Sequence, residues 1–288
     1  MSNSYGEEMI KLTAATPVSE LTEIWDIALT DTEVERHQIF MLLTLTLVYD
    51  NWCIYKNDAR VLADYSQAAP GREFSEYVGH NIGALLVNQD NAIVTYAFNN
   101  NHLHNNSTEH AETRLIRKAL RLYNRKNFKT GQGNSGYWKV LKGHTVYTSL
   151  ESCSQCSGIM DLANVENVVY AQVDPGQGHI GNILYNLHRD EGGSGAPRPI
   201  KADFLPVFSQ IEEAYSRFGR DGTAQGTRRP GATRFLRSVD AFEVFREAAV
   251  QLEGFTPTND SNQAVLEHAL EFRESYNDTT MRDAVFGE

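Results

Sequence analysis

Two short pieces of this sequence carry residue types that can do chemistry together: His110-Ala111-Glu112, and Glu151-Ser152-Cys153-Ser154-Gln155-Cys156. Each follows a β-type segment or a loop and opens a helical stretch. Cysteines three apart in the first turn of a helix share one face, so both thiolates can reach a single ion. A histidine opening a second helix supplies a third ligand. Ser152 with Gln155 fits a capping box that would fix the start of the cysteine-bearing helix. Three protein ligands leave the fourth position of zinc to water, the arrangement of a catalytic site. Two helix N-termini aimed at the metal add positive dipole ends and lower the cysteine pKa values. Glu112 stands two residues from His110 and need not point the same way. It is placed to take a proton from a water instead of ligating.

Blander readings of the same residues exist. A structural zinc site needs a fourth cysteine or histidine, and His102, His104, His144 and His179 are available. Such a site has no use for Glu112. A redox C-x-x-C leaves the upstream histidine triplet unexplained. Cys53, beside Trp52 in an apolar helical stretch, reads as a small buried hydrophobe. His102 and His104 lie in a loop, where histidines are commonly solvated, and Asp174 closes a strand, where aspartate commonly makes a turn. All three are also in reach of a substrate-pocket role.

The elements that must position these residues follow from periodicity and punctuation. Residues 1–75 read as a helical extension, in which Asp31 to Trp52 has apolar residues at near-helical spacing and Asp31 or Thr32 as its cap. A Pro-Gly pair breaks the chain at 68–71. Ile82 to Val87 and Ala92 to Phe98 are β-type runs joined by Asn88-Gln89-Asp90-Asn91, a plausible hairpin. A loop with five asparagines, Asn99 to Glu109, leads into a helix over about 110–126. After a Gly-rich insertion (130–143) come a strand at His144 to Leu150, a helix from Ser152 and a strand at Asn167 to Val173. Ile200 to Val207 is either a fifth strand or a lead into a helix. Three helical patterns close the chain, near 207–218, 239–253 and 262–276. The order α-ββ-α-β-α-β-α predicts an α/β fold with helices on both faces of one mixed sheet. Residues 76–207 form the central domain, and 208–288 a second helical extension.

Composition bounds the function class. The 288 residues are 41% hydrophobic and 22% charged, ordinary for a soluble globular enzyme. No secretory signal is visible near the N-terminus, and the most apolar run, Ile39 to Tyr49, is too short to span a bilayer. Three cysteines with one C-x-x-C pair argue for a reducing compartment, with the cytoplasm as the default and no membrane partner. A net charge of −11 disfavours non-specific nucleic-acid binding. One basic stripe runs against that trend: Arg114, Arg117, Lys118, Arg121 and Arg125 share a helix face at spacings of three and four. Six arginines also fall between Arg217 and Arg237.

An H-x-E triplet with a downstream P-C-x-x-C is the signature of zinc nucleobase deaminases. From Gly83 to Leu187 the sequence resembles the cytidine deaminase-like superfamily, most of all its branch of tRNA adenosine deaminases and guanine deaminases. The resemblance is carried by Gly83-Ala84-Leu85-Leu86-Val87, Phe98-Asn99, His110-Ala111-Glu112, Tyr147-Thr148-Ser149-Leu150-Glu151-Ser152-Cys153, Cys156-Ser157-Gly158-Ile159-Met160 and the run from Asp174 to Asn182. It implies a three-layer α/β/α fold with a mixed sheet of about five strands. It also implies His110, Cys153 and Cys156 as zinc ligands and Glu112 as proton shuttle. By the same resemblance Asn99 contacts the base, or Asn100 or Asn101 if the loop is shifted. Ser152 departs from the pattern, which has proline before the first cysteine, and the helical head and tail lie outside the resemblance.

The expected activity is hydrolytic deamination of a nucleobase as free base, nucleoside or nucleotide. Editing of a base in RNA, with phosphate held by the basic stripe, is the alternative. A zinc-stabilised interaction module is the third reading. Relatives are often dimers, so a homodimer is expected.

Overall fold

The computed structural model describes residues 17–23, 28–56, 80–101, 104–129, 141–188, 196–224 and 231–278. The expected break at 68–71, His102 and most of the Gly-rich insertion lie outside them. Helices are α1 (Val18–Leu21), α2 (Asp31–Lys56), α3 (Ala111–Lys129), α4 (Ser154–Leu162), α5 (Ile180–His188), α6 (Pro206–Ala224), α7 (Ala232–Phe235), α8 (Val239–Glu253) and α9 (Gln263–Asp278). Strands are β1 (Gly83–Val87), β2 (Ile93–Phe98), β3 (Thr145–Leu150), β4 (Asn167–Gln172) and β5 (Arg198–Lys201).

The strands form one sheet in the order β2-β1-β3-β4-β5. β1 is antiparallel to both β2 and β3, whereas β3, β4 and β5 are parallel. Four strands therefore run one way and β1 alone runs against them. The carboxyl ends of β2, β3 and β4 gather on one edge of the sheet, where open α/β sheets bind ligands.

Adjacent residues of a strand face opposite sides of a sheet, and β3 shows which helices lie on each. Tyr147 packs its ring on Phe40 of α2 and bonds His37 at 2.8 Å, while the next residue, Thr148, donates to Glu112 of α3. Helices α2 and α3 thus cover opposite faces, giving the expected three layers around a mixed five-stranded sheet. Alternate burial does not apply to β1, whose five residues are all buried, as a strand covered on both faces requires.

Helix α2 is enclosed on all sides. Ile39, Phe40, Met41, Leu42, Leu43, Leu45, Leu47 and Val48 are at most 2% exposed, because the sheet takes one side and α8 with α9 the other. An apolar residue on every face of a helix is stable only under such cover. One continuous apolar cluster runs from α2 through the sheet to α3, α6, α8 and α9. Among the described residues no helix is long and apolar enough to cross a membrane.

Several boundaries differ from expectation. α2 is capped by Thr30, not Asp31 or Thr32: Thr30 and Glu33 exchange bonds in a reciprocal capping box, Thr30 N to Glu33 Oε2 at 2.8 Å and Glu33 N to Thr30 Oγ1 at 3.3 Å. The fifth strand starts at Arg198 and ends at Lys201, and Pro206 then opens α6, since proline suits a first helical turn. Helix α5 had no counterpart in the pattern read from the sequence. Cys53 is half-buried, and burial pushes its thiol pKa up, as for an inert cysteine.

Two buried polar clasps tie α2 to the C-terminal helices. Arg273 of α9 grips Asp50 through Nε at 2.8 Å and Nη2 at 3.1 Å. Glu35 accepts hydrogen bonds from Asn262 Nδ2 at 2.7 Å, Thr258 Oγ1 at 2.7 Å, and the backbone N–H groups of Thr258 and Asn259. Burial alone would raise its pKa, but these donors, Asn262 and Thr258 foremost, hold it down to about 2. Protonation thus takes place at lower pH in the folded chain than in the unfolded one, whose carboxyl has the ordinary value of 4.5. The clasp contributes fully above about pH 4.5 and is lost as pH falls toward 2. Glu35→Gln should lower unfolding free energy at pH 7 by about 2–3 kcal/mol. In urea titrations at stepwise lower pH, the gap to the parent protein should shrink between pH 4.5 and 2.

Candidate metal centre

His110 precedes α3, and its carbonyl accepts the N–H of Arg114, so it stands at the N-cap of that helix. Cys153 is the N-cap of α4, with extended backbone, and its carbonyl accepts the N–H of Ser157 at 2.8 Å. Cys156 lies one turn in. The two helix starts meet where the loop after β2 and the loop after β3 reach the carboxyl edge of the sheet. His110, Cys153 and Cys156 bring three ligand atoms within 4.8 Å of one another.

The spacing tests the fit of zinc. Tetrahedral zinc, with bonds of about 2.3 Å to sulfur and about 2.1 Å to nitrogen, separates a sulfur from a nitrogen by about 3.6 Å. His110 Nδ1 lies 3.3 Å from Cys153 Sγ and 3.6 Å from Cys156 Sγ. Both sulfur–nitrogen separations thus fit such a site. Cys156 is buried while His110 and Cys153 are half-buried, so one side stays open to a fourth ligand. His144 is taken up elsewhere, with Nε2 at 2.7 Å from Tyr123 Oη, and His104 and His179 are not in the group. Among the described residues the fourth protein ligand of a structural zinc site is not found.

Cys153 is the readier thiolate. A hydrogen bond from Cys156, then those from His110 and the Cys156 backbone N–H, overcome burial and bring its pKa well below the usual thiol range. The hydrogen bond with Cys153 raises the His110 ring pKa. Burial raises that of Glu112.

Glu112 is 3% exposed and does not join the ligand group. Its Oε1 accepts from Ser152 Oγ at 3.2 Å and Thr148 Oγ1 at 3.3 Å, and its Oε2 lies 3.3 Å from Cys156 Sγ. The carboxylate is thereby fixed beside the donors. The expected capping box at Ser152 and Gln155 is not formed. Ser152 spends its hydroxyl on Glu112, and Gln155 Nε2 donates to Thr108 O at 2.8 Å and Thr113 Oγ1 at 3.1 Å. Helix α4 begins one residue later, and Gln155 fastens it to the start of α3 instead.

The asparagine loop has an internal logic. Asn99 is buried at the end of β2; its N–H donates to Ile82 O, and its Oδ1 accepts from Asn101 N at 3.1 Å. Asn106 Oδ1 accepts from Thr108 N, and Asn105 takes a left-handed conformation (φ 46°), which asparagine tolerates. Beyond the loop, the basic stripe borders a groove of about 700 Å³ between β2, α3 and Phe272 of α9. Arg114, Arg117, Lys118 and Arg121 line it and Arg125 does not. Arg114 and Arg117 both reach Glu109, at 2.6 and 3.2 Å, so part of the stripe's charge is met within the fold.

Sequence reasoning missed one pair beside the centre. Glu151, two residues before Cys153, accepts from Asp174 N at 2.9 Å and lies 2.7 Å from His179 Nδ1. Asp174 makes the expected turn, accepting from Gly176 N at 3.0 Å; burial, and then the charge of Cys153, raise its carboxyl pKa.

Residues 57–172 match the model of the cytidine and deoxycytidylate deaminase zinc-binding region, and zinc is accordingly the metal for this donor set. The tRNA-specific adenosine deaminase of Bacillus subtilis is 34% identical over 110 residues, which is 38% of this chain and 59% of that enzyme. The tRNA-specific adenosine deaminase of Rickettsia bellii is 27% identical over 121 residues, 40% of this chain and 74% of that one. Among solved structures, guanine deaminase from Bacillus subtilis is 27% identical, with 41% of this chain and 59% of that one covered and a TM-score of 0.27. The chain therefore spans little more than half the length of two of these relatives. Replacing Cys156 with serine should cut bound zinc from about one ion per chain to a small fraction, as read by atomic emission on dialysed protein.

Proposed function

We propose that this chain, whose residues 57–172 match the cytidine and deoxycytidylate deaminase zinc-binding region, is a zinc-dependent hydrolytic deaminase of nucleobases. The observation that carries this reading is the buried Glu112 carboxylate held beside three metal donors without joining them. His110, Cys153 and Cys156 would hold the ion. Zinc, when bound, supplies the Lewis acidity that makes water a nucleophile near neutral pH. Glu112 would take one proton from the attacking water and pass it to the ring nitrogen, then take the remaining hydroxyl proton as the carbonyl forms and hand it to the amine, which departs as ammonia. Ser152 and Thr148 keep Oε1 oriented, and Oε2, 3.3 Å from Cys156 Sγ, is the oxygen on the side of the metal donors. Asn99, with Oδ1 engaged in its own turn, would contact the base through Nδ2.

The substrate class comprises free bases, nucleosides and nucleotides. A second reading, editing of a base in RNA, is favoured by the groove beside α3 with Arg117 half exposed along it. Steep loss of RNA binding between low and moderate salt would mark that reading, because each phosphate contact releases counterions. A cytoplasmic homodimer suits either reading, on the low cysteine count and the family resemblance.

Ammonia release tests the proposal. Zinc-loaded protein should release ammonia from at least one of adenine, guanine, cytosine, their nucleosides and nucleotides, or a tRNA pool. Glu112→Ala should lose about 10²- to 10⁴-fold in turnover while keeping its zinc. Full turnover in that variant would overturn the proton-shuttle role.

A further inference from the structure

We propose that His179 is a specificity-determining residue that accepts a hydrogen bond from the sugar of a nucleoside-type substrate, with Glu151 as its positioning residue. The inference rests on the deaminase reading and narrows its substrate class.

The geometry begins at the β4–α5 loop. After the Asp174 turn, Gly178 and His179 both take left-handed backbone conformations, with φ of 60° and 55°. Glycine does this freely, whereas a histidine carries a steric cost of about 1–2 kcal/mol. The consequence is a ring laid against Glu151, Nδ1 to Oε1 at 2.7 Å. The Glu151 side chain is 4% exposed and its other oxygen is occupied by Asp174 N. A carboxylate oxygen only accepts, so Nδ1 carries the proton and donates. In the neutral ring this bond sets the tautomer, with Nε2 as the lone-pair acceptor. The His179 side chain is 38% exposed, and among the described residues Nε2 meets no hydrogen-bond partner. A buried carboxylate thus holds an accessible ring in one orientation.

Its location selects the part of the ligand it would meet. Glu151 is two residues from Cys153, and Asp174 in the same loop is close enough to Cys153 to feel its charge. Gly181, two residues beyond His179, lies against Ser157 beside Cys156: a Cβ there would stand 3.5 Å from Ser157 Oγ. The start of α5, which His179 immediately precedes, therefore packs on α4 one residue past Cys156. Yet His179 falls outside the group of donors within 4.8 Å of one another, so the ring borders the centre without ligating. In a nucleoside the amino-bearing carbon and the sugar leave the base ring at different positions. A group at the rim, beyond ligating reach, faces the sugar when the reacting carbon faces the metal. Sugar hydroxyls are donors, and Nε2 is the acceptor they need.

Two variants separate contact from scaffolding. In His179→Asn the amide nitrogen can take the place of Nδ1 and keep the bond to Glu151, while the acceptor at Nε2 is gone. His179→Ala removes both. Binding of adenosine, guanosine and cytidine, each against its free base, is measured by calorimetry on zinc-loaded protein in a Glu112→Ala background, so that nothing is consumed. At least one nucleoside should bind roughly tenfold more tightly than its base, the worth of one good hydrogen bond. His179→Asn should erase that advantage, leaving free-base affinity and melting temperature unchanged, and His179→Ala should erase it with a lower melting temperature. An unchanged nucleoside-to-base ratio in His179→Asn would overturn the inference, as would a parent protein that prefers no nucleoside. Ammonia release by the unmutated enzyme is scored separately. Its absence alongside an intact His179-dependent preference would sink the deaminase reading and leave the sugar contact standing.

Discussion

Three donor atoms must come within zinc-binding distance from two places 43 residues apart in sequence, His110 and Cys153, and each is borne on the first turn of a different helix. A helix start is a stiff mount: the N-cap residue's carbonyl already accepts the first intrahelical bond, so its side chain has little freedom left. Bringing two such mounts together is a constraint on strand direction. β2 and β3 deliver their carboxyl ends to the same edge only because β1 runs against both and sits between them. The same ordering sets Asn99, Glu151 and Asp174 on that edge.

The head and tail helices serve this edge at one remove. Helix α2 supports the far face of β1, β3 and β4, and with apolar side chains on every side it needs α8 and α9 to cover it. The clasps at Glu35 and Asp50 then order the layers against one another with charge-assisted bonds, which are more directional than apolar contact. The long extensions are in this sense the outer wall of the sheet that carries the metal centre. The tail also supplies Phe272 to the groove beside the basic stripe, so it bears on what can approach α3.

Much of this was legible from residue types. Short β-type runs bounded by turn residues gave the hairpin and the central strands, and the C-x-x-C spacing put two cysteines on one helix face, because both depend on local geometry. What escaped depends on long-range choice. Ser152 and Gln155 have the right spacing for a capping box, yet each has a better partner 40 or more residues away. The Ser152 hydroxyl donates to the buried carboxylate at 112, and with Cys153 as the N-cap of α4 its oxygen caps no helix N–H; no local pattern announces either. Helix α5 is nine residues long with glycines before it, and its polar asparagines bond the carbonyls of Leu21, Thr22 and Glu23 from the head of the chain. The Glu151–His179 pair spans 28 residues and depends on two left-handed residues in succession, which sequence alone does not require of a histidine.

Ser152 also bears on why a departure from the family pattern need not weaken the centre. Proline before the first cysteine would stiffen the turn but could offer Glu112 nothing, having no side-chain donor. Serine gives up that stiffness, and Gln155 restores part of it by tying α4 to Thr108 and Thr113 at the start of α3. The hydroxyl meanwhile becomes one of two that hold Glu112 Oε1. A carboxylate that must receive and return protons works best when one oxygen is anchored and the other faces the reacting atoms. In this chain Ser152, just before the N-cap of α4, holds the Glu112 carboxylate, while Gln155 one turn on fastens α4 to the start of α3, so neighbouring bonds orient the ligand helix and the carboxylate.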